Sequence, residues 1–350
     1  MSIRVLVVED SPVVREFLHY ILNSDPAIRV IGTARNGTEA LQLAEKLKPD
    51  VITMDISMPG MDGYEATRRI METHPVPIVI VSVSVDPKQV ATTFRALEAG
   101  ALAAARKPMG IGHPEYEQTA NALIQTVKLM SEVKVVKRWP MQRKGGPPPT
   151  QSGIAGGCDL GSKDTGIIAI GASTGGPPVL QTILSALPKD FPAPVLVVQH
   201  ISPGFIQGFA DSLARYCKLP VRIPFSGESL QPANVYLAPD GVHMGVGAGG
   251  RVVLTGGPPE NGMRPSISYL FRSVAAAFAA KSVGVLLTGM GRDGAEGLKS
   301  MREKGAITIA QDEASCVVFG MPAEAIQLCA ATHVLSPEGI AAALAQISKR

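Results

Sequence analysis

The sequence predicts an α/β chain made of two doubly wound parallel-sheet domains joined by a linker. Three observations carry that expectation. Short apolar runs alternate with amphipathic stretches five times in the first 130 residues. A segment rich in Pro, Gly and basic residues, 132–165, then breaks the pattern. Beyond it, apolar strands again run into Gly-rich turns followed by helical periodicity. The expected divisions are therefore 1–131, 132–165 and 166–350.

In chain order, Ile3 to Val8 reads as a strand, and Ser11 and Pro12 suit the start of a helix. Strands are expected at 29–34, 51–54, 78–82 and 101–105, with helices at 38–47, 64–73, 88–99 and 116–130. In a parallel sheet, ligands collect at the carboxyl ends of the strands. Those ends supply Glu9, Asp10, Asp55, Ser82 and Lys107. Three carboxylates brought together repel one another unless a cation neutralises them, and an all-oxygen cluster suits Mg²⁺. Asp55 could then accept a phosphoryl group, with Ser82 and Lys107 holding its oxygens. Isolated Asp residues also cap helices and turns, but capping does not explain four strand ends at once.

The linker holds Pro147-Pro148-Pro149 and the only tryptophan, Trp139, which suits a docking residue or a local contact equally. From Val133 to Gln151 it carries five basic residues and no acidic one; removing those five from the net charge of +3 leaves −2. The basic balance thus belongs to one stretch, and nucleic-acid binding gains little support. No apolar run reaches the 18 or so residues a membrane helix needs, and no signal-peptide pattern opens the chain, so a cytoplasmic protein without membrane insertion is expected. Cys158, Cys217, Cys316 and Cys329 lack metal-ligand or disulfide spacing, which disfavours a transition-metal enzyme. A monomer is expected.

In the second domain, the strand Ile167–Ala172 enters Gly171-Ala172-Ser173-Thr174-Gly175, a G-x-S-x-G turn. Such a turn can present Ser173 as a nucleophile, or use Ser173 or Thr174 as a helix cap. It can also cradle a phosphate, although no P-loop lysine follows. The strand 194–199 ends at His200, and the strand 283–288 runs into Gly289-Met290-Gly291-Arg292-Asp293-Gly294. Parallel order places Ser173, His200 and Asp293 at one sheet edge, as nucleophile, base and orienting carboxylate. Asp293 could alternatively cap the next helix, and one side chain is not expected to do both. Backbone N–H groups at Met290 and Thr174 are available for an oxyanion hole. Residues 221–254, with alternating runs at 234–238 and 251–254, read as hairpins laid on the main sheet, and His243 among them reads as structural or substrate-facing. The Ser, His, Asp order differs from that of α/β-hydrolases.

VVEDSP at 7–12, MDISMPGMDG at 54–63, VS at 81–82 and KP at 107–108 resemble a two-component receiver domain. The resemblance implies a flavodoxin-like fold, phosphorylation of Asp55 by a sensor histidine kinase, and Mg²⁺ on Glu9, Asp10 and Asp55. One departure is Ala104, where receivers usually carry an aromatic switch residue; either other residues carry the switch or its coupling is altered. IGASTGG at 170–176, VVQH at 197–200, RPS at 264–266, LLTGMGRDGAEG at 286–297 and QDEASCVVFGMP at 311–322 resemble the catalytic domain of the chemotaxis protein-glutamate methylesterase. That resemblance implies a Rossmann-like domain in which Ser173, His200 and Asp293 are catalytic and Met290 is an oxyanion donor. It implies methyl-accepting chemoreceptors as substrates, glutamine deamidation as a second activity, and no cofactor for hydrolysis. Ser268 and Ala323 depart from the family's usual acid and Arg.

Overall fold

The computed structural model describes residues 2–82, 87–133, 135, 165–247 and 249–347, with the backbone alone for 87–91. The expectations for Trp139, Cys158 and the five basic linker residues fall outside the described residues.

The first domain alternates β1 (Ile3–Val8), α1 (Pro12–Asn23), β2 (Ile28–Ala34), α2 (Gly37–Leu47), β3 (Val51–Met54), α3 (Gly63–Thr73), β4 (Ile78–Ser82), α4 (Pro87–Glu98), β5 (Ala103–Arg106) and α5 (Tyr116–Ser131). Its five strands are ordered β2-β1-β3-β4-β5 and are all parallel. The reversal between β1 and β3 makes the topological switch point, where ligands bind in doubly wound sheets. Helix starts follow local chemistry. Ser11, Asn36 and Asp62 each accept a backbone N–H of the following helix, from Val14, Glu39 and Glu65 respectively.

The second domain contains β6 (Ile167–Ala172), α6 (Gly176–Ala186), β7 (Val195–Gln199), α7 (Ile206–Ala214), β8 (Val221–Arg222), β9 (Val235–Leu237), β10 (His243–Gly247) and β11 (Arg251–Thr255). It continues with α8 (Ile267–Phe278), β12 (Ser282–Leu286), α9 (Ala295–Glu303), β13 (Ile307–Gln311), α10 (Met321–Gln327), β14 (His333–Leu335) and α11 (Pro337–Gln346). Seven parallel strands run β14-β13-β12-β6-β7-β9-β8. β6, β7 and β12 are buried at every residue, as central parallel strands covered on both faces must be.

The region expected to form hairpins divides. β9, from the run at 234–238, is a parallel strand of the main sheet beside β7, and all three of its residues are buried. Among the described residues only β10 and β11 form a hairpin. The short run at 234–238 resembled an alternating strand, but a strand buried on both faces has no polar side to display.

The two domains meet along α4, β5 and α5 of the first. Phe94 of α4 stacks on Phe209 of α7, with ring centroids 5.2 Å apart and planes at 24°. The Ser202 hydroxyl donates to the Ala104 carbonyl of β5 at 2.7 Å. Ala104 therefore sits at the domain seam.

Candidate active site

β6 and β12 flank the point where strand order reverses in the second sheet, and β7 lies beside β6. Their carboxyl ends deliver Ser173, Met290 and His200 to one edge. The turn after β6 is pinned to the exit of β12: the Ser173 N–H donates to the Thr288 carbonyl at 3.0 Å, and the Thr288 hydroxyl donates to the Thr174 carbonyl at 3.0 Å. Gly289 permits the close approach, because a Cβ there would lie 2.5 Å from Ser173 Cβ. The cap of α6 is Gly175, in the left-handed region at φ 77°, and no cap side chain bonds the helix start among the described residues. Neither Ser173 nor Thr174 therefore caps α6.

Ser173, Thr174, Gln199, His200, Ser202 and Met263 line a cleft of about 250 Å³. Leu97, Leu102, Ala103, Ala104, Thr126, Leu129 and Met130 of the first domain close its other side.

His200 Nε2 lies 3.1 Å from Asp293 Oδ2, and both side chains are buried. The approach is at ion-pair distance but off hydrogen-bond alignment, and among the described residues Nδ1 has no partner either. Catalytic hydrogen bonds are often loose before substrate binds, so a small ring rotation would complete this one.

Asp293 does more than face the imidazole. Oδ2 accepts the Ile267 N–H at 2.7 Å, and Oδ1 accepts the Ser268 N–H at 3.1 Å and the Ser266 hydroxyl at 2.9 Å. It thereby binds the first turn of α8, while Gly294 begins α9. Asp293 does not cap the next helix, α9; Oδ2 faces His200 and also accepts the Ile267 N–H, and Oδ1 completes the hold on α8. Burial pushes the Asp293 carboxyl up, but His200 and the donors from Ile267 and Ser268 outweigh it and hold the group well below the usual carboxylate range. Ser268 receives the Gly294 N–H on its hydroxyl at 2.8 Å, so it locks the Asp293 turn.

Met290 is half-buried beside this turn. Among the described residues, no hydrogen bond engages the backbone N–H of Met290 or of Thr174. His243 is buried, stacks on Tyr269 and bonds both the Ser266 N–H and the Pro258 carbonyl, which agrees with a structural part.

The sequence does not single out Gln199, Ser202, Thr288 or Gln311, whereas Ser266, expected to open a helix, caps α8. A polar residue ending an apolar strand was the available signal for Gln199 and Gln311.

In the first domain, carboxylate oxygens of Glu9, Asp10 and Asp55 lie within 4.8 Å of one another. Lys107 Nζ is 2.8 Å from Glu9 Oε2 and 3.1 Å from Asp55 Oδ1. Ser82 is buried at the end of β4, and its carbonyl accepts the Lys107 N–H at 3.0 Å. Burial, then the charge of Asp55, raises the Glu9 carboxyl; burial also raises Asp55 while Lys107 opposes it. Among the described residues, Glu9 Oε2 is buried without an aligned hydrogen bond despite its nearness to Lys107. Hard, crowded carboxylate oxygens facing a single ammonium fit Mg²⁺.

The CheB methylesterase family profile matches residues 168–344, and the response regulator receiver domain profile matches residues 5–113. A protein-glutamate methylesterase/protein-glutamine glutaminase of Nitrosospira multiformis is 56% identical over 345 residues, covering 99% of this chain and 97% of the relative. A protein of the same name from Syntrophus aciditrophicus, numbered 1, is 54% identical over 348 residues, covering 99% and 98%. The crystal structure of the Thermotoga maritima CheB methylesterase catalytic domain is 39% identical, with a TM-score of 0.51, and covers 52% of this chain and 98% of that one. Among the described residues, no helix is long and apolar enough to cross a membrane. With two sheets in this order and matches across nearly its whole length, the chain belongs to the CheB methylesterase family and carries a response regulator receiver domain ahead of the esterase half.

Proposed function

We propose that this chain hydrolyses glutamate methyl esters, and deamidates glutamines, on the cytoplasmic helices of chemoreceptors, with phosphorylation of Asp55 as the control. The observation that carries the chemistry is His200 held beside Asp293 in a cleft it shares with Ser173.

Ser173 Oγ attacks the ester carbonyl carbon while His200 takes the hydroxyl proton. The oxyanion rests on the Met290 and Thr174 N–H groups. The bond to the methoxy oxygen breaks, His200 returns its proton, and methanol leaves. Water then loses a proton to His200 and attacks the acyl carbon, Ser173 Oγ departs and regains the proton, and a glutamate carboxylate remains. With a carboxamide substrate the same steps release ammonia. Asp293 keeps the ring oriented and stabilises the imidazolium.

Control rests on the shared cleft. Ala103, Ala104 and Met130 of the receiver form its far wall, so the unphosphorylated receiver obstructs a receptor helix. A sensor histidine kinase is the phosphoryl source. Mg²⁺ held by Glu9, Asp10 and Asp55 would neutralise charge at the phosphoryl group, and Lys107 and Ser82 would bind its oxygens.

The test is methanol release from methylated receptor membranes by wild type and Ser173→Ala, with and without a small phospho-donor and Mg²⁺. Donor-stimulated release that Ser173→Ala abolishes is expected. Release that survives Ser173→Ala would overturn the assignment, and release that ignores the donor would overturn the control.

A further inference from the structure

We infer that Gln199 is a positioning residue, which sets the nucleophile and the base in register through their main chains; the inference rests on the assignment of Ser173 and His200 above. Gln199 ends β7 immediately before His200 and is buried, with 4% of its surface exposed. Its side-chain nitrogen donates to two carbonyls, those of Ser173 and His200, each at 2.8 Å. One planar amide thus spans the two residues between which a proton must pass. The backbone ladder supports the same register from the other side, since the His200 N–H donates to the Ala172 carbonyl at 2.9 Å.

The oxygen of that amide is unlike its nitrogen. Oε1 is buried and has no hydrogen-bond partner among the described residues. It lies against the start of α6, where a Cβ on Gly176 would fall 2.2 Å away. The Gly176 N–H is turned to the Ser173 carbonyl, and Pro177 and Pro178 have none to offer. Gln311, in the same position at the end of β13, is fully paired: its oxygen accepts the Thr288 N–H, and its nitrogen donates to Ser315. An unpaired buried acceptor is costly, and an apolar side chain of equal size would avoid it. The donor half of the amide is therefore what the site retains.

Without that donor, the His200 carbonyl loses its side-chain partner and the Ser173 carbonyl keeps only Gly176. The turn and the loop can then drift, and small misplacements of reacting groups are amplified in rate. Gln199 lines the cleft but is only 4% exposed, and its amide nitrogen is committed to main-chain carbonyls rather than to substrate, so the loss is expected in turnover.

The experiment uses the full-length protein with methylated receptor membranes and compares wild type, Gln199→Met, Gln199→Asn and Ser173→Ala. Gln199→Met keeps the volume and removes both donors, whereas Gln199→Asn keeps the amide on a shorter arm. Expected for Gln199→Met is a fall in kcat of roughly 10- to 100-fold, with KM within about twofold of wild type and a cooperative melt. Gln199→Asn should recover part of the lost kcat. Labelling of Ser173 by a fluorophosphonate should slow in parallel. A cooperatively folded Gln199→Met with kcat within about twofold of wild type, or a change confined to KM, overturns the proposal. If neither variant melts cooperatively, Gln199 is a folding residue and the proposal also fails. If wild type itself neither takes the fluorophosphonate nor releases methanol, the Ser173 and His200 assignment fails first.

Discussion

Replacing Asp293 by Asn separates its two tasks. The carboxylate accepts the Ile267 N–H on Oδ2 and the Ser268 N–H and Ser266 hydroxyl on Oδ1, while Oδ2 also faces His200. Asn can keep an oxygen at the Oδ1 position, but its NH₂ then meets the Ile267 N–H, donor against donor. A charge-assisted hydrogen bond contributes about 1.5–3 kcal/mol, and leaving a buried donor unpaired adds about 1–3 kcal/mol. With partial relaxation the expected loss is about 2–4 kcal/mol, or roughly 5–15 °C in the melting of the esterase half. The same change leaves His200 without its negative partner and favours the wrong tautomer, so kcat should fall by about 10³- to 10⁴-fold, the scale seen for such replacements in serine hydrolases. The pH dependence has a definite sign. The Asp293 carboxyl is held below its ordinary pKa, so its contribution is complete above the unfolded value near 4 and is lost as pH falls through the lower folded value. The stability gap between wild type and Asp293→Asn should accordingly close only in acid below about pH 4. Thermal and urea unfolding read the first effect, and methanol release reads the second. A variant within about 1 kcal/mol of wild type would refute the hold on α8. One destabilised as expected but retaining kcat within about tenfold would refute the hold on His200.

Ser202→Ala removes the hydrogen bond to the Ala104 carbonyl, worth about 1 kcal/mol. Methanol release without phospho-donor should rise by up to about fivefold, and an unchanged or lower rate would count against the receiver wall as the obstruction. Asp55→Asn should abolish stimulation by phospho-donor while leaving unstimulated release at the wild-type rate; persistent stimulation would place the phosphoryl group elsewhere. Chelation of Mg²⁺ should block radiolabel transfer from the donor to the receiver and spare unstimulated hydrolysis, and hydrolysis lost with the metal would contradict the assignment to the acid cluster. Burial pushes the Cys217 and Cys316 thiols up to about 11 and about 12, so at pH 8 both are almost wholly protonated. Peptide mapping after brief iodoacetamide treatment should find the exposed Cys329 alkylated well before either, and early alkylation of Cys316 would show that the loop beside Thr288 opens.

Most of the scaffold was legible because its signals are local. The cap residue Ser11, the Gly-rich exits of β6 and β12, and the apolar runs between them each act within a few residues, and the elements of the first domain appear within one or two positions of expectation. β9 was not legible as a parallel strand, since its three residues are buried on both faces and only pairing with β7 and β8 decides its direction. The carboxyl-edge residues could be grouped from topology alone, which is why Ser173, His200 and Asp293 were named together. The hold of Asp293 on α8 could not be seen, because it joins residues 25 to 27 positions apart through a fold the spacing does not reveal. The amide of Gln199 was hidden for the opposite reason. One of its two partners is the next residue, and nothing in the string VVQH distinguishes a clamp from a strand end.

The bond between Ser202 and Ala104 is made to a main-chain carbonyl, and this divides the fate of the two positions under mutation. A peptide oxygen survives every substitution of its own side chain, so residue 104 can drift in bulk without erasing the link. What drift changes is how much of the cleft wall fills, from a methyl group upward. The hydroxyl of Ser202 has no such protection, because a single base change can delete it. Inheritance therefore has a graded adjustment on the receiver side and an on-or-off one on the esterase side, so that lineages could retune the strength of the seam at residue 104 while Ser202 stays in place.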